Sequence, residues 1–214
     1  MATGIFITLE GVEGSGKTTH AARLADSLES EGRTVTLTHE PGGTKAGEAI
    51  RALFLNPEVK LEVGAELLLV LADRAQHVRE KLKPALARGE IVISDRYSDS
   101  TVAYQGYGRG YDLRLLNELN MMASDGLIPD LTIVLDCSAE AGLERTKRRA
   151  SAAHTPDRFE SEELAFHNRV REGFQALVRA HPARARLIDT SAPVATVTFQ
   201  IRQAVDELIQ RRCP

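Results

Sequence analysis

The chain has 214 residues, 43% hydrophobic and 27% charged, which supports one sizeable core and is too short for two typical domains. A formal net charge of −3 gives a nucleic-acid partner no electrostatic support, and two cysteines, Cys137 and Cys213, with no CxxC or Cys/His cluster point to free thiols. There is no run of 18 apolar residues and no signal-peptide pattern at the N-terminus, so a cytoplasmic protein with no membrane partner is expected.

Strand-like and helix-like segments alternate along the chain. Ile5 to Leu9 is a short apolar strand, and Thr18 to Ser30 then carries Ala21, Leu24, Ala25 and Leu28 at helical spacing. Thr34 to Thr38 is a second strand, followed by helices over about 45–55 and about 63–88, the latter stopped by Gly89. Ile91 to Ser94 and Leu131 to Leu135 are two further strands, each ending at an aspartate, and Ala185 to Ile188 is a weaker fifth. Helices are predicted near 112–124, 139–150, 160–180 and 194–211. Near-continuous apolar strands separated by helices imply an α/β fold of three layers, with a five-stranded parallel sheet covered on both faces. The expected strand order is 2-3-1-4-5, in one domain over 1–214. The polar stretch from Arg148 to Glu160 lacks apolar periodicity and reads as a mobile loop.

Gly11-Val12-Glu13-Gly14-Ser15-Gly16-Lys17-Thr18 fits G-x-x-x-x-G-K-[ST] between an apolar strand and a helix, where a P-loop belongs. The glycines let successive backbone N–H groups turn toward phosphate oxygens, and the following helix adds its positive N-terminus. In such a loop Lys17 contacts the β- and γ-phosphates of ATP, and the Thr18 hydroxyl holds Mg²⁺. The next residue, Thr19, belongs to the same nucleotide-binding run. A carboxylate is needed beside the metal. Asp95 and Asp136 both end strands, and Asp95 is favoured because Arg96 places an anion-binding group next to it.

No Asn-Lys-x-Asp motif of a GTP-binding switch is present, and the loop lacks the G-x-P-G-x-G-K-G pattern of adenylate-type kinases. Arginines at 51, 74, 96, 145, 148 and 149 suit a second small phosphate. The joint presence of Gly-Val-Glu-Gly-Ser-Gly-Lys-Thr-Thr, Glu40-Pro41-Gly42-Gly43-Thr44, Ala72-Asp73-Arg74-Ala75-Gln76-His77, Asp95-Arg96-Tyr97 and Ser100-Thr101-Val102-Ala103-Tyr104-Gln105-Gly106 resembles the bacterial thymidylate kinase family. These are P-loop nucleoside-monophosphate kinases, and the similarity runs from the first strand to the last helix.

The resemblance implies transfer of the ATP γ-phosphoryl group to dTMP. Glu13 would lie beside the deoxyribose 3′-hydroxyl, and Arg51 and Arg96 would grip the dTMP phosphate. Arg74 would donate to a thymine carbonyl, Thr101 and Gln105 would lie near the base, and Tyr104 would exclude a 2′-hydroxyl. The lid corresponds to about 145–160, with Arg149 the best match to its catalytic arginine and Arg145 and Arg148 as neighbours. Asp189-Thr190-Ser191-Ala192 resembles the adenine loop, and a homodimer is the family tendency. The chain departs from the pattern in three places. Val70 or Leu71 stands where a ring usually stacks on thymine, His39 stands where many relatives have arginine, and Ser151 to Pro156 lengthens the lid. A kinase for a deoxynucleoside or another pyrimidine monophosphate, and a non-catalytic nucleotide sensor, are the alternatives.

Overall fold

A computed structural model describes residues 4–149 and 157–212. Five parallel strands, β1 (Ile5–Glu10), β2 (Val35–His39), β3 (Ile91–Asp95), β4 (Leu131–Asp136) and β5 (Ala185–Asp189), form one sheet in the order β2-β3-β1-β4-β5. This is the order expected from the sequence.

Alternation along the strands divides the sheet into two unlike faces. Ile5, Ile7 and Leu9 of β1, with Ile91 and Ile93 of β3 and Leu131, Ile133 and Leu135 of β4, pack against α1 (Lys17–Ser30) and α9 (Val194–Arg212). On the other face Phe6 and Val92 start an apolar layer, but Thr8, Glu10, Ser94 and Thr132 follow, all fully buried. Polar groups therefore gather beneath the C-terminal ends of the central strands, where ligands of open α/β sheets bind.

That face is covered by α2 (Lys45–Leu55), α3 (Val63–His77), α6 (Leu113–Ala123) and α8 (Leu164–Ala180), whose buried side chains form a second apolar cluster with Val12 and Phe159. The predicted helix over 63–88 is not one regular helix. A π-type turn over Val78–Leu82 joins α3 to α4 (Lys83–Ala87), and Pro84 sits near the start of α4. A second π segment, Val102–Gly108, continues α5 (Ser98–Thr101) and carries Tyr104 and Gln105. Widened turns of this kind are frequent at functional sites. Helix α7 (Ala139–Arg149) includes Arg145 and Arg148, so Arg148 is helical where the sequence reading placed it in a loop. Residues 150–156, which hold the expected lid extension, and Cys213 lie outside the described residues, as does the side chain of Arg149.

Candidate active site

Gly11 follows Glu10 at the end of β1 and opens the loop at φ 138°, where a Cβ would lie 2.4 Å from the Leu135 carbonyl. Gly14 meets Gly142 of α7 backbone to backbone, a Cβ there falling 2.0 Å from the Gly142 oxygen. No larger residue fits either position, so these glycines bring the loop against β4 and seat the lid helix on it. Lys17 is buried, and its Nζ donates to the carbonyls of Gly11 at 3.0 Å and Val12 at 2.8 Å. Burial and the nearby Arg96 push the Lys17 ammonium down to about 8. Burial and the same Arg96 also lower Arg51. Arg96 thus disfavours the charged forms of both Lys17 and Arg51, a local excess of positive charge that suits an anion.

The two candidate carboxylates stand in different surroundings. Thr18 Oγ1 donates to Asp95 Oδ2 at 2.5 Å, placing a hydroxyl and a carboxylate side by side at the start of α1. Asp136 is engaged elsewhere, by a two-pronged pair with Arg171 at 2.7 and 2.8 Å. The Thr18 and Asp95 oxygens are hard donors suited to Mg²⁺, which takes few protein ligands and keeps waters and phosphate oxygens. Consistent with that economy, no cluster of three or more His, Cys, Asp or Glu able to hold a metal occurs among the described residues.

Beyond β3 the backbone turns sharply. Arg96 adopts φ 72°, a left-handed conformation that an arginine takes only where its surroundings enforce it. Its guanidinium donates to the Gly11 carbonyl at 3.0 Å and to Glu13 Oε1 at 2.9 Å, and lies over the Tyr104 ring at 4.9 Å. The Tyr104 hydroxyl donates to the same Glu13 oxygen at 2.5 Å. Burial alone would raise the Glu13 carboxyl, but His167, Arg96, Lys17 and Tyr104 together hold it down to about 2.

A cavity of about 630 Å³ opens over these residues. Its lining includes Lys17, Thr18 and Asp95 of the P-loop region together with Arg51, Val70, Arg74, Thr101, Tyr104 and Gln105, and Glu13 and Arg96. Arg74 is fully buried and not the solvated surface residue its helix would permit. Its Nε donates to Glu40 at 2.9 Å, and Nη1 donates to Thr101 at 3.0 Å and Asn120 at 2.7 Å. Nη2 alone has no partner. Gln105 Nε2 donates to Glu66 Oε1 at 2.7 Å. Arg51 donates from Nη1 to the Pro41 carbonyl at 2.7 Å, a partly buried contact. Val12 and Ser15 are buried beneath the lysine, whereas Gly16 and Thr19 fall outside the lining of this cavity, Thr19 being exposed on the first turn of α1.

At the lid, Arg145 bridges Thr190 O at 2.9 Å and Gly14 O at 3.5 Å, tying the P-loop to the loop after β5. Arg148 projects into solvent, its Nε 4.0 Å from Glu144. At the lid's far end, Arg158 donates to Glu66 at 2.7 Å and to the Phe54 carbonyl at 3.1 Å, and Phe159 packs on Phe54 at 5.2 Å between ring centroids. Sequence reasoning missed Phe54, Glu10 and His167. Glu10 could have been found as the one charge ending a strand otherwise apolar, and His167 as the polar residue on the apolar side of α8.

A parallel sheet in this order, with a P-loop on its first strand and an arginine-lined cavity beside it, defines a P-loop nucleotide phosphotransferase. The family model described as thymidylate kinase matches residues 9–201. A thymidylate kinase of Solidesulfovibrio magneticus is 50% identical over 96% of this chain and 100% of its own length. One from Gloeobacter violaceus is 51% identical over 94% of both chains. The crystal structure of thymidylate kinase from Ehrlichia chaffeensis superposes with TM-score 0.77 at 35% identity, over 95% of this chain and 99% of that one. The chain belongs to the thymidylate kinase family, a family of ATP-dependent phosphotransferases.

Proposed function

We propose that this chain transfers the γ-phosphoryl group of ATP to the phosphate of dTMP, giving dTDP and ADP. The observation that carries this reading is the single cavity lined by both P-loop residues and arginines. A donor and an acceptor phosphate can meet there in line, and positioning of that kind supplies much of the rate in phosphoryl transfer. Lys17 leaves its loop carbonyls for the β- and γ-phosphate oxygens. Arg96 and Arg51 take the acceptor phosphate, whose oxygen is already nucleophilic at neutral pH and needs no base. Arg74 offers its unpartnered Nη2 to a thymine carbonyl, beside Thr101, Gln105 and Val70, while Glu13 faces the 3′-hydroxyl. Thr18 and Asp95 would hold Mg²⁺, which when bound neutralises phosphate charge. Arg148 and Arg149 are the arginines proposed to reach the transferring group from the lid, and the soluble enzyme is assigned to the cytoplasm.

An assay of ADP release with dTMP, dUMP, UMP, CMP and thymidine tests the acceptor. dTMP is expected to be best, and Lys17→Ala to remove most activity; thymidine outperforming dTMP would overturn the monophosphate assignment.

The chain is further proposed to act as a homodimer. Helices α3 and α6 pack together and leave Leu68 65% and Met122 70% exposed, with Met121 and Leu115 also open to solvent. Large apolar side chains exposed on neighbouring helices fit a second copy better than water. Sedimentation should show a dimer that Leu68→Glu with Met122→Glu converts to monomer; a monomeric parent protein would refute the pairing.

A further inference from the structure

One buried side chain beside the P-loop has no part in the roles above. His167 lies on α8, 1% exposed, and neither of its ring nitrogens has a hydrogen-bond partner. Two buried polar atoms left unmatched destabilise a fold unless they serve something, and an apolar ring of the same size would pack there without that cost. Its own neighbour Phe166 shows that the helix accepts such a ring, the two rings meeting edge to face at 5.5 Å.

The group opposite is Glu13. His167 Nδ1 lies 3.4 Å from Glu13 Oε2. That oxygen is itself buried and without a hydrogen bond, whereas Oε1 already accepts from both Arg96 and Tyr104. Two complementary atoms, each lacking a partner, therefore face each other just beyond an aligned hydrogen bond. Bonds of this kind at catalytic centres are often long without ligand and tighten in the complex.

We infer that His167 is a positioning residue, donating from Nδ1–H to the free oxygen of Glu13 and so fixing the carboxylate against the 3′-hydroxyl of the acceptor sugar. This rests on the assignment of Glu13 to that hydroxyl. The need arises from Arg96, which holds Glu13 in the absence of ligand and is also required by the acceptor phosphate. When the guanidinium turns to the phosphate, Glu13 keeps only the Tyr104 hydroxyl on one oxygen. A buried carboxylate with one donor would drift or take up a proton. The imidazole supplies the second donor from the opposite side, and it counts most among the groups that oppose the effect of burial on Glu13.

The test compares kcat/KM for dTMP and for its 3′-deoxy analogue in the parent enzyme, His167→Phe, His167→Gln and Glu13→Ala, with melting temperatures recorded alongside. His167→Phe is expected to lower kcat/KM for dTMP by roughly 10-fold or more, the loss typical of a hydrogen bond to a charged group. The 3′-deoxy analogue, which cannot use Glu13, should be turned over nearly as before, so the preference between the two collapses. His167→Gln, which keeps a donor at that depth, should restore it. Equal losses on both acceptors would mean that His167 merely packs, and would overturn the inference. Preference retained in His167→Phe but lost in Glu13→Ala would also overturn it while leaving the role of Glu13 intact. Preference retained in Glu13→Ala would remove the assignment of Glu13 itself.

Discussion

Arg74 has its guanidinium plane set before any ligand arrives, because Glu40, Thr101 and Asn120 hold two of its three nitrogens. Glu40 is fixed in turn by His77, whose other ring nitrogen meets Thr38 at 2.8 Å. A donor held this way loses little freedom on binding, which favours discrimination over mere adhesion. Val70 lines the same cavity, and in the proposed reading it would give the base an aliphatic face. The aromatic rings of the pocket come from other elements, Phe54 of α2, Tyr97 after β3, Tyr104 of the π segment and Phe159 at the end of the lid. Val70 still removes apolar area from water but forgoes ring-on-ring contact, an effect of about 0.5–1.5 kcal/mol. Val70→Phe is therefore expected to lower the KM for dTMP several-fold with kcat nearly unchanged. Steady-state kinetics decides it, and an unchanged or higher KM would show that Phe54 and Phe159 leave no room or need for a further ring.

Among the elements, an arginine ties down each end of the lid region. Arg158 is bound to buried Glu66 and to α2, and Arg145 is clamped between two loops, so both are occupied as structural ties. Arg148 is exposed on the last turns of α7 with its Nε 4.0 Å from Glu144, and Arg149 follows it on the same helix; these are the two arginines proposed to reach the transferring group. Alanine at 148 or 149 should thus cut kcat far more than it raises the KM for dTMP, since an arginine acting in the transition state is worth on the order of 10³–10⁵ in related enzymes. Alanine at 158 should instead raise KM, by loosening Phe159. If all four variants, including Arg145→Ala, keep near-normal kcat, the lid arginine mechanism fails. The strands and their order were legible because strands buried on both faces read as unbroken apolar runs, with helical spacing between them. The π turns were not, since one widened turn leaves the apolar spacing of α3 almost intact. Phe54 falls in a predicted helix and Phe159 in the stretch read as a loop, and only folding brings positions so far apart in the chain to one cavity.

Across the whole molecule, charge is buried along the C-terminal edge of the sheet, and stability should carry its mark. Glu10 accepts from the Tyr97 backbone N–H and from Ser100, anchoring the segment that holds Arg96 and Thr101. Burial and the nearby Asp99 push it up to about 8 from an ordinary 4.5. Burial and Glu40 likewise raise Asp73 to about 6 from 3.8. Each raised acid keeps a proton in the folded state that the unfolded chain has released, so stability falls as pH rises through its window. Lys17 works in the other direction above pH 8, because the folded state then gives up a proton that the unfolded chain keeps until 10.5. Between pH 6 and 8 Asp73 has largely finished and Lys17 has barely begun, leaving Glu10 as the main source of slope. On the order of 2 kcal/mol is at stake there. For a chain of this size that is a fall in melting temperature of roughly 4–8 °C. Glu10→Gln keeps acceptors for Tyr97 and Ser100 but has no proton to lose, so its melting temperature should stay level across the same interval. Calorimetry of both proteins at pH 6, 7 and 8 measures the difference, and parallel slopes would locate the buried titration at some group other than Glu10.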